Sequence, residues 1–154
     1  MPLNSGRSAT LGGAAVLDKN IAVAHEITPY VSAYPFSAGF GTKYANPSVL
    51  PTGTGRDVAF TADGANIAVV SAASPFVLAY PFSAGFGSKY ANAAVLPTGQ
   101  GLGVAFTADG ANIAVAHSTT PYVSAYPFSA GFGSKYADPS VLPTGTGRGV
   151  AFTN

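Results

Sequence analysis

Cysteine and tryptophan are absent from this sequence of 154 residues, and charged residues make up only 8% of it. Without cysteine, the chain can form neither disulfide bonds nor thiolate metal sites. No apolar run approaches the roughly 18 residues of a membrane-spanning helix, and the N-terminal residues lack the apolar stretch of a secretory signal. We therefore predict a soluble protein with no membrane insertion and no export signal of its own.

Charge of either sign is also scarce, since seven basic and six acidic residues leave a formal net charge of +1. Nucleic acids and anionic membranes attract proteins through clustered positive charge, so the composition argues against both as partners. Hydrophobic residues nevertheless account for 47% of the chain. A disordered chain would combine low hydrophobicity with high charge, and we therefore expect a folded domain.

Three nearly identical repeats make up most of the chain. The sequence Tyr-Pro-Phe-Ser-Ala-Gly-Phe-Gly begins at Tyr34, Tyr80 and Tyr126, which are 46 residues apart. The shorter sequence Val-Ala-Phe-Thr recurs with the same spacing. A repeat of this length is typical of solenoids, propellers and similar arrays.

Glycine and proline divide each repeat into four short strand candidates. In the third repeat these are Gly103–Thr107, Asn112–His117, Tyr122–Phe128 and Gly133–Ala137. The first two candidates are apolar on both faces, as expected for strands that are covered on both sides. An Asp-Gly pair between them favours a tight turn, and no segment has the apolar period of a helix. We therefore predict four-stranded units of 46 residues.

The repeats resemble those of known propellers over residues 14–153. The sequence Gly-Val-Ala-Phe-Thr-Ala-Asp-Gly-Ala-Asn-Ile-Ala-Val-Ala-His at Gly103–His117 looks like WD-repeat-like units and the YVTN-type repeats of surface-layer proteins. Thr-Pro-Tyr-Val-Ser-Ala-Tyr-Pro-Phe and Leu-Pro-Thr-Gly-Thr-Gly are most similar to repeats in tailed-phage structural proteins. The Trp-Asp ending and the Gly-His pair of true WD repeats are missing. The resemblance implies a β-propeller with a structural role.

The predicted fold class is therefore all-β, a propeller with three four-stranded blades per chain. The blades span approximately residues 13–55, 56–101 and 102–147, after an N-terminal tail of residues 1–12. A propeller typically has about four to eight blades, so we expect identical chains to close the ring by oligomerisation. A dimer of six blades is favoured because six lies within that range, and a trimer of nine blades is the alternative.

The C-terminal segment is the predicted closing element. Its residues are Gly149, Val150, Ala151, Phe152 and Thr153, which repeat Gly103–Thr107 position by position. An unpaired apolar strand invites pairing with another chain. The segment should therefore complete the first blade of a neighbouring copy, or else displace the N-terminal Gly13–Leu17.

No convergent set of catalytic or metal-binding residues is apparent in the sequence. His25 and His117 occupy equivalent positions in different repeats, so we expect them to be too far apart to share a metal ion. Each is expected to line a turn and bind the backbone. Asp63 and Asp109 lie in turn sequences, and there is no Gly-x-Ser-x-Gly motif. We predict that the protein is not an enzyme and needs no metal or cofactor.

Two sets of repeated side chains are candidate ligand-binding residues. One is the aromatic residue that follows the turn between the second and third strand candidates and begins the third, and the other is a lysine in the fourth. They are Tyr30, Phe76, Tyr122, Lys43, Lys89 and Lys135. Aromatic faces beside polar groups can bind sugars, and repetition supplies avidity. Alternatively, the aromatic rings pack between blades and the lysines protect an exposed strand edge.

The sequence therefore predicts a non-enzymatic structural or adhesion module, associated with a virion or a cell surface. The alternative is a multivalent, lectin-like propeller that binds glycans. Its expected partners are copies of itself, together with glycans or other virion or surface proteins.

Overall fold

β-strands are the only regular secondary structure in residues 19–153, the part of the chain that the computed structural model describes. The strands there are β1 (Lys19–Ala24), β2 (Val31–Phe36), β3 (Gly55–Phe60), β4 (Asn66–Ser71), β5 (Val77–Pro81), β6 (Gly101–Phe106), β7 (Asn112–His117) and β8 (Val123–Pro127). The prediction of an all-β fold is confirmed.

The strands form three antiparallel sheets that follow the repeats. Sheet 1 contains β1 and β2, sheet 2 contains β3, β4 and β5, and sheet 3 contains β6, β7 and β8. Asn66 lies opposite Pro81 in sheet 2, and Asn112 lies opposite Pro127 in sheet 3. The similarity between repeats therefore extends to the register of the strands.

A hydrogen-bonded turn joins the first two strands of sheet 2, and sheet 3 repeats it. The Thr61 hydroxyl donates to Asp63 Oδ1 at 2.6 Å, and the Ala65 amide donates to the same oxygen at 2.9 Å. Gly64 has a φ of +71°, which glycine adopts without steric cost. Both hydrogen bonds favour the ionised carboxylate and hold the pKa of Asp63 below its usual range.

The predicted fourth strand is not a regular strand in any of the three repeats. The residues that follow the third strand return beside it, as shown by hydrogen bonds from Gly133 N to Pro127 O and from Tyr136 N to Ala125 O. These bonds are three residues apart on one side and two on the other, so the register slips between them. Pro127 also has no amide hydrogen to donate. Sheets 2 and 3 therefore have three strands instead of four.

The three sheets pack face to face and share two apolar cores. Alternate residues of a strand point to opposite faces. Ile67 and Val69 of β4 belong to the core shared with sheet 1, whereas Ala68 and Val70 belong to the core shared with sheet 3. All four are completely buried. Sheet 2 is therefore the middle layer, which explains the unbroken apolar sequence of β4.

Glycine lets each repeat begin close to the one before it. A Cβ atom on Gly55 would lie 2.1 Å from the carbonyl oxygen of Tyr30, and one on Gly101 would lie 2.5 Å from that of Phe76. At Gly147 the corresponding distance, to the carbonyl oxygen of Tyr122, is 2.4 Å. The chain therefore leaves the third repeat along the same path by which it leaves the first two.

Beyond Gly147, the predicted closing segment 149–153 does not form a strand. Its sequence matches β6, but β6 pairs with β7, and the described residues place no such strand beside the segment. Val150 and Phe152 are half-buried. The N-terminal tail and Gly13–Leu17 lie outside the described residues, so ring closure stays a prediction.

Candidate functional site

The three predicted ligand-binding aromatic residues lie in equivalent turns, one at the same end of each sheet. Tyr30, Phe76 and Tyr122 are half-buried and have φ angles of 69°, 67° and 69°. The Tyr30 amide donates to the carbonyl of Ile27, and the Tyr30 carbonyl accepts from the amide of His25. The turn therefore fixes the backbone of each aromatic residue and leaves part of its ring accessible.

The three predicted lysines bind groups of their own turns. Lys89 Nζ donates to Asn92 Oδ1 at 2.5 Å and to the carbonyl of Tyr90 at 2.8 Å. Lys43 bonds Asn46 in the same way, and Lys135 forms an ion pair with Asp138. These partners satisfy much of the hydrogen-bonding capacity of the ammonium groups. The lysines therefore stabilise the turns in which they lie.

The structure does not bring the aromatic residues and the lysines together. The aromatic residues precede β2, β5 and β8, whereas each lysine follows its strand and lies beside its outer edge. Tyr122 lines a hollow of about 500 Å³ with Pro143, Thr144 and Gly145, and no lysine lines it. This hollow therefore combines one of the aromatic residues with small side chains and contains none of the three lysines.

Two histidine side chains are each hydrogen-bonded to a serine, a contact that the sequence analysis did not predict. His25 Nε2 and His117 Nε2 each lie 3.0 Å from a serine Oγ, that of Ser32 and Ser124 respectively. The second repeat has serine and leucine at these positions, Ser71 and Leu78. The two positions therefore change together, a signal that comparison of the repeats could have revealed.

The His117 pair is not arranged for nucleophilic catalysis. His117 is completely buried and Ser124 is 2% exposed, so a substrate cannot reach the hydroxyl. No residue in the described part bonds to His117 Nδ1, the atom that a catalytic carboxylate would orient. Burial lowers the pKa of His117 and favours the neutral ring. The pair therefore acts as a buried hydrogen bond.

Asp57 also has a structural contact, which links two sheets. Its Oδ2 atom accepts a hydrogen bond of 2.9 Å from the Val104 amide of β6. Glycine occupies the position of Asp57 in the third repeat, at Gly103, where a Cβ atom would lie 2.8 Å from the Cα of Gly149. The Asp57 carboxylate is thus held between β3 of sheet 2 and β6 of sheet 3.

Within residues 19–153 no other sheet packs on one face of sheet 1, which we call the open face of sheet 1: Val23, Tyr34, Phe36 and Phe40. The corresponding residues of sheet 2 are Val69, Tyr80, Phe82 and Phe86, which pack against sheet 1. Val69 is fully buried, whereas Val23 is 45% exposed and Phe40 is 66% exposed. The open face of sheet 1 is therefore a copy of a surface that is buried once inside the chain.

In the described part of the chain no other sheet packs on the opposite face of sheet 3, and we call its residues Val123, Ala125 and Tyr136 the open face of sheet 3. The corresponding residues of sheet 2 are Val77, Ala79 and Tyr90, which pack against sheet 3. Val77 and Ala79 are fully buried, but Tyr136 is 49% exposed. The two open faces are thus the two halves of one contact that occurs twice within the chain.

Comparison with known proteins adds no identity: no protein-family model matches the chain, and no match is found among curated proteins. Residues 19–153 contain no group of three or more His, Asp or Glu side chains that could hold a metal ion. They also contain no helix long and apolar enough to cross a membrane.

Proposed function

We propose that this chain is a non-enzymatic structural or adhesion module whose copies complete one another into a closed β-propeller. The observation that carries the proposal is the pair of open faces, since each matches a surface that the chain buries elsewhere. Apolar surface of this kind favours association when a complementary face is offered.

The free edge of β1 supports the same proposal. Within the described residues β1 pairs only with β2, whereas β4 and β7 each have partners on both sides. Residues 149–153 have the sequence of a strand that pairs at this free edge. Burying an exposed side chain of this kind contributes about 1.5–3 kcal/mol, and Val150 and Phe152, which are already half-buried, would each contribute less than that to the assembly.

The proposed role in a virion or on a cell surface rests on the resemblance of the repeats to tailed-phage and surface-layer proteins. It is also in keeping with the buried His117–Ser124 pair, which offers no accessible nucleophile. A dimer of six blades is the favoured ring, and a trimer of nine blades is the alternative.

The solution mass tests this proposal directly. We expect light scattering to give a multiple of 15.3 kDa for the full chain, and a monomer or aggregate for a chain that ends at Arg148. A chain that ends at Thr153 is the matched control and should assemble normally. If the chain ending at Arg148 keeps both its mass and its melting temperature, the terminal strand does not close the ring.

The three aromatic residues in the equivalent turns favour a second candidate function, which is glycan binding. Tyr30, Phe76 and Tyr122 recur at the same end of the three sheets, and part of each side chain is accessible. We expect a glycan-binding protein of this design to bind sugars on an array and to lose binding in Tyr122→Ala. Val95→Ala, which shortens an exposed apolar side chain outside both open faces and outside the aromatic turns, is the control. Absence of binding by the full chain would eliminate this candidate.

A further inference from the structure

One contact between neighbouring repeats occurs twice in the chain with the same hydrogen bonds. The Thr52 hydroxyl donates to the carbonyl of Ser74 at 2.6 Å, and the Thr98 hydroxyl donates to that of Thr120 at 2.6 Å. In both cases a Thr-Gly sequence of one repeat receives the turn that precedes the third strand of the next repeat. We call this turn the docking turn: residues 26–28, 72–74 and 118–120.

Glycine makes room for the docking turn at each contact. A Cβ atom on Gly53 would lie 3.0 Å from the Cβ of Ala73, and one on Gly99 would lie 2.4 Å from the Oγ1 of Thr119. Adjacent backbone atoms also bond, since the Ser118 amide donates to the carbonyl of Gln100. The contact is therefore tight and leaves no space for a larger residue.

The third Thr-Gly sequence, Thr144-Gly145, borders the hollow of about 500 Å³ on sheet 3. A Cβ atom on Gly145 would have no described atom within 4 Å. One docking turn, Glu26–Thr28, is correspondingly uncovered in the described part, and Ile27 within it is 78% exposed. The hollow and this turn occupy the positions that contact each other at the two internal boundaries.

Two further contacts repeat on the same faces. The Tyr80 hydroxyl donates to the carbonyl of Val49, and the Tyr126 hydroxyl donates to that of Val95. The remaining donor at this position is Tyr34, on the open face of sheet 1. The remaining acceptor is the carbonyl of Val141, a residue that is 85% exposed and lies in the third repeat.

We infer that the hollow at Thr144 and Gly145 binds the docking turn Glu26–Thr28 of a second copy of this chain. This inference rests on the proposed function, because it specifies how one copy completes the next. The Thr144 hydroxyl then donates to the Thr28 carbonyl, and Tyr34 donates to the Val141 carbonyl of the other copy. The contact is head to tail, so each copy uses one face to bind and the other to be bound.

Charge supports the choice of a second copy as the occupant. Two positions can be compared at each boundary: the first residue of the docking turn, and the residue that follows Thr-Gly-x-Gly. They are Ala72 and Arg56 at the first boundary, and Ser118 and Leu102 at the second. Between copies they are Glu26 with Arg148. These two positions therefore carry opposite charges only at the boundary between two copies, which favours this pairing.

Two single substitutions block the two sides of the contact without disturbing the protomer. Gly145→Leu fills the hollow, and Ile27→Arg changes an exposed side chain of the docking turn. We expect each variant to remain monomeric at concentrations where the full chain assembles, with at least a tenfold weaker association. Ala108→Leu, in an exposed turn outside both faces, is the matched control and should assemble like the unmodified chain.

A mixture of the two blocked variants provides the sharper measurement. Gly145→Leu keeps an intact docking turn and Ile27→Arg keeps an intact hollow, so together they should form a complex of two chains through one contact. Light scattering of each variant alone and of the mixture measures this. If the mixture stays monomeric although each variant is folded by circular dichroism, the inference is wrong.

The outcomes also separate this inference from the proposed function. If Gly145→Leu assembles normally but the chain ending at Arg148 does not, the terminal strand joins the copies and the hollow is not the contact. If the unmodified chain is a monomer at every concentration, both the proposed self-assembly and this contact are refuted.

Discussion

Sheet 2 and sheet 1 present almost the same apolar side chains, but among residues 19–153 only sheet 2 has another sheet packed on each face. Phe82 of the second repeat is 3% exposed, whereas Phe36, at the same position of the first repeat, is 37% exposed. The rings of Tyr44, Phe60 and Phe86 surround Phe82 in edge-to-face contacts. The difference shows that burial in this molecule depends on the neighbouring repeat more than on the strand itself.

Removing the two phenylalanines should give the largest difference between the sheets. Phe82→Ala leaves a cavity among three rings and should lower the free energy of unfolding by about 3–5 kcal/mol. Phe36→Ala should cost clearly less in the monomer, because its residue is 37% exposed and Phe40 is its one edge-to-face ring partner among the described residues. Urea unfolding of both variants, followed by circular dichroism, measures the two costs.

The concentration dependence of this comparison sharpens it. If copies cover the open face of sheet 1, the cost of Phe36→Ala should rise towards that of Phe82→Ala as the protein concentration increases. Equal costs at a concentration where the chain is monomeric would show that the first sheet is covered by something other than a copy.

A smaller effect is expected from the tyrosine hydroxyls that link repeats. Tyr80→Phe removes the 2.7 Å hydrogen bond to the carbonyl of Val49 and should cost about 0.5–1.5 kcal/mol. Tyr34→Phe should have no effect on the monomer, since the described residues give its hydroxyl no partner. The same unfolding measurement tests both, and a loss of stability in monomeric Tyr34→Phe would contradict the comparison.

Much of the fold could be predicted because each strand and turn occurs in three similar repeats, so that the three sequences can be compared. The strand Asn112–His117 has the predicted bounds, and the Asp-Gly turn forms where it was expected. The prediction of a regular fourth strand was wrong. The sequence of this segment is compatible with a strand, but the register slip between Gly133 and Tyr136 depends on the conformation of the intervening residues. Local composition does not determine such a slip.

The contacts of the candidate site were harder to predict because they join distant residues. The bond between Asp57 and Val104 spans two repeats and occurs once in the described part, so comparison of repeats gives it no support. The lysines were predicted to protect an edge or bind a ligand. Both remain predictions, and the bonds of the lysines to Asn46, Asn92 and Asp138 follow a three-residue spacing that the sequence already contained.

The histidine–serine pair predicts a pH effect that distinguishes the third repeat from the second. Burial is the largest influence on the pKa of His117 in the folded chain and lowers it; the backbone at Thr119 and Val123 and the charge of Asp138 oppose this, whereas Lys135 lowers the pKa slightly further. The unfolded chain therefore binds the proton more readily, so the contribution of His117 to stability is present above about pH 6.5 and is lost as the pH falls below it.

Giving the third repeat the residues of the second tests this effect. The double variant His117→Ser with Ser124→Leu should unfold with a smaller loss of stability between neutral and mildly acidic pH than the unmodified chain. Urea midpoints at the two pH values measure the difference. The same pH dependence in both proteins would mean that other groups are responsible.

The smallest expected effect concerns the ion pair that distinguishes the third repeat from the other two. Lys135 contacts Asp138, whereas Lys43 and Lys89 contact asparagine at the equivalent position. Asp138→Asn therefore converts the third repeat to the arrangement of the others and preserves a hydrogen-bond acceptor. Because the Asp138 side chain is 46% exposed, solvent screens the pair, and the loss should lie within about 1 kcal/mol. Any loss should shrink in high salt, where exposed charges are screened. A larger loss in urea unfolding, unchanged by salt, would show that Asp138 supports the third repeat through packing or hydrogen bonding that asparagine cannot reproduce.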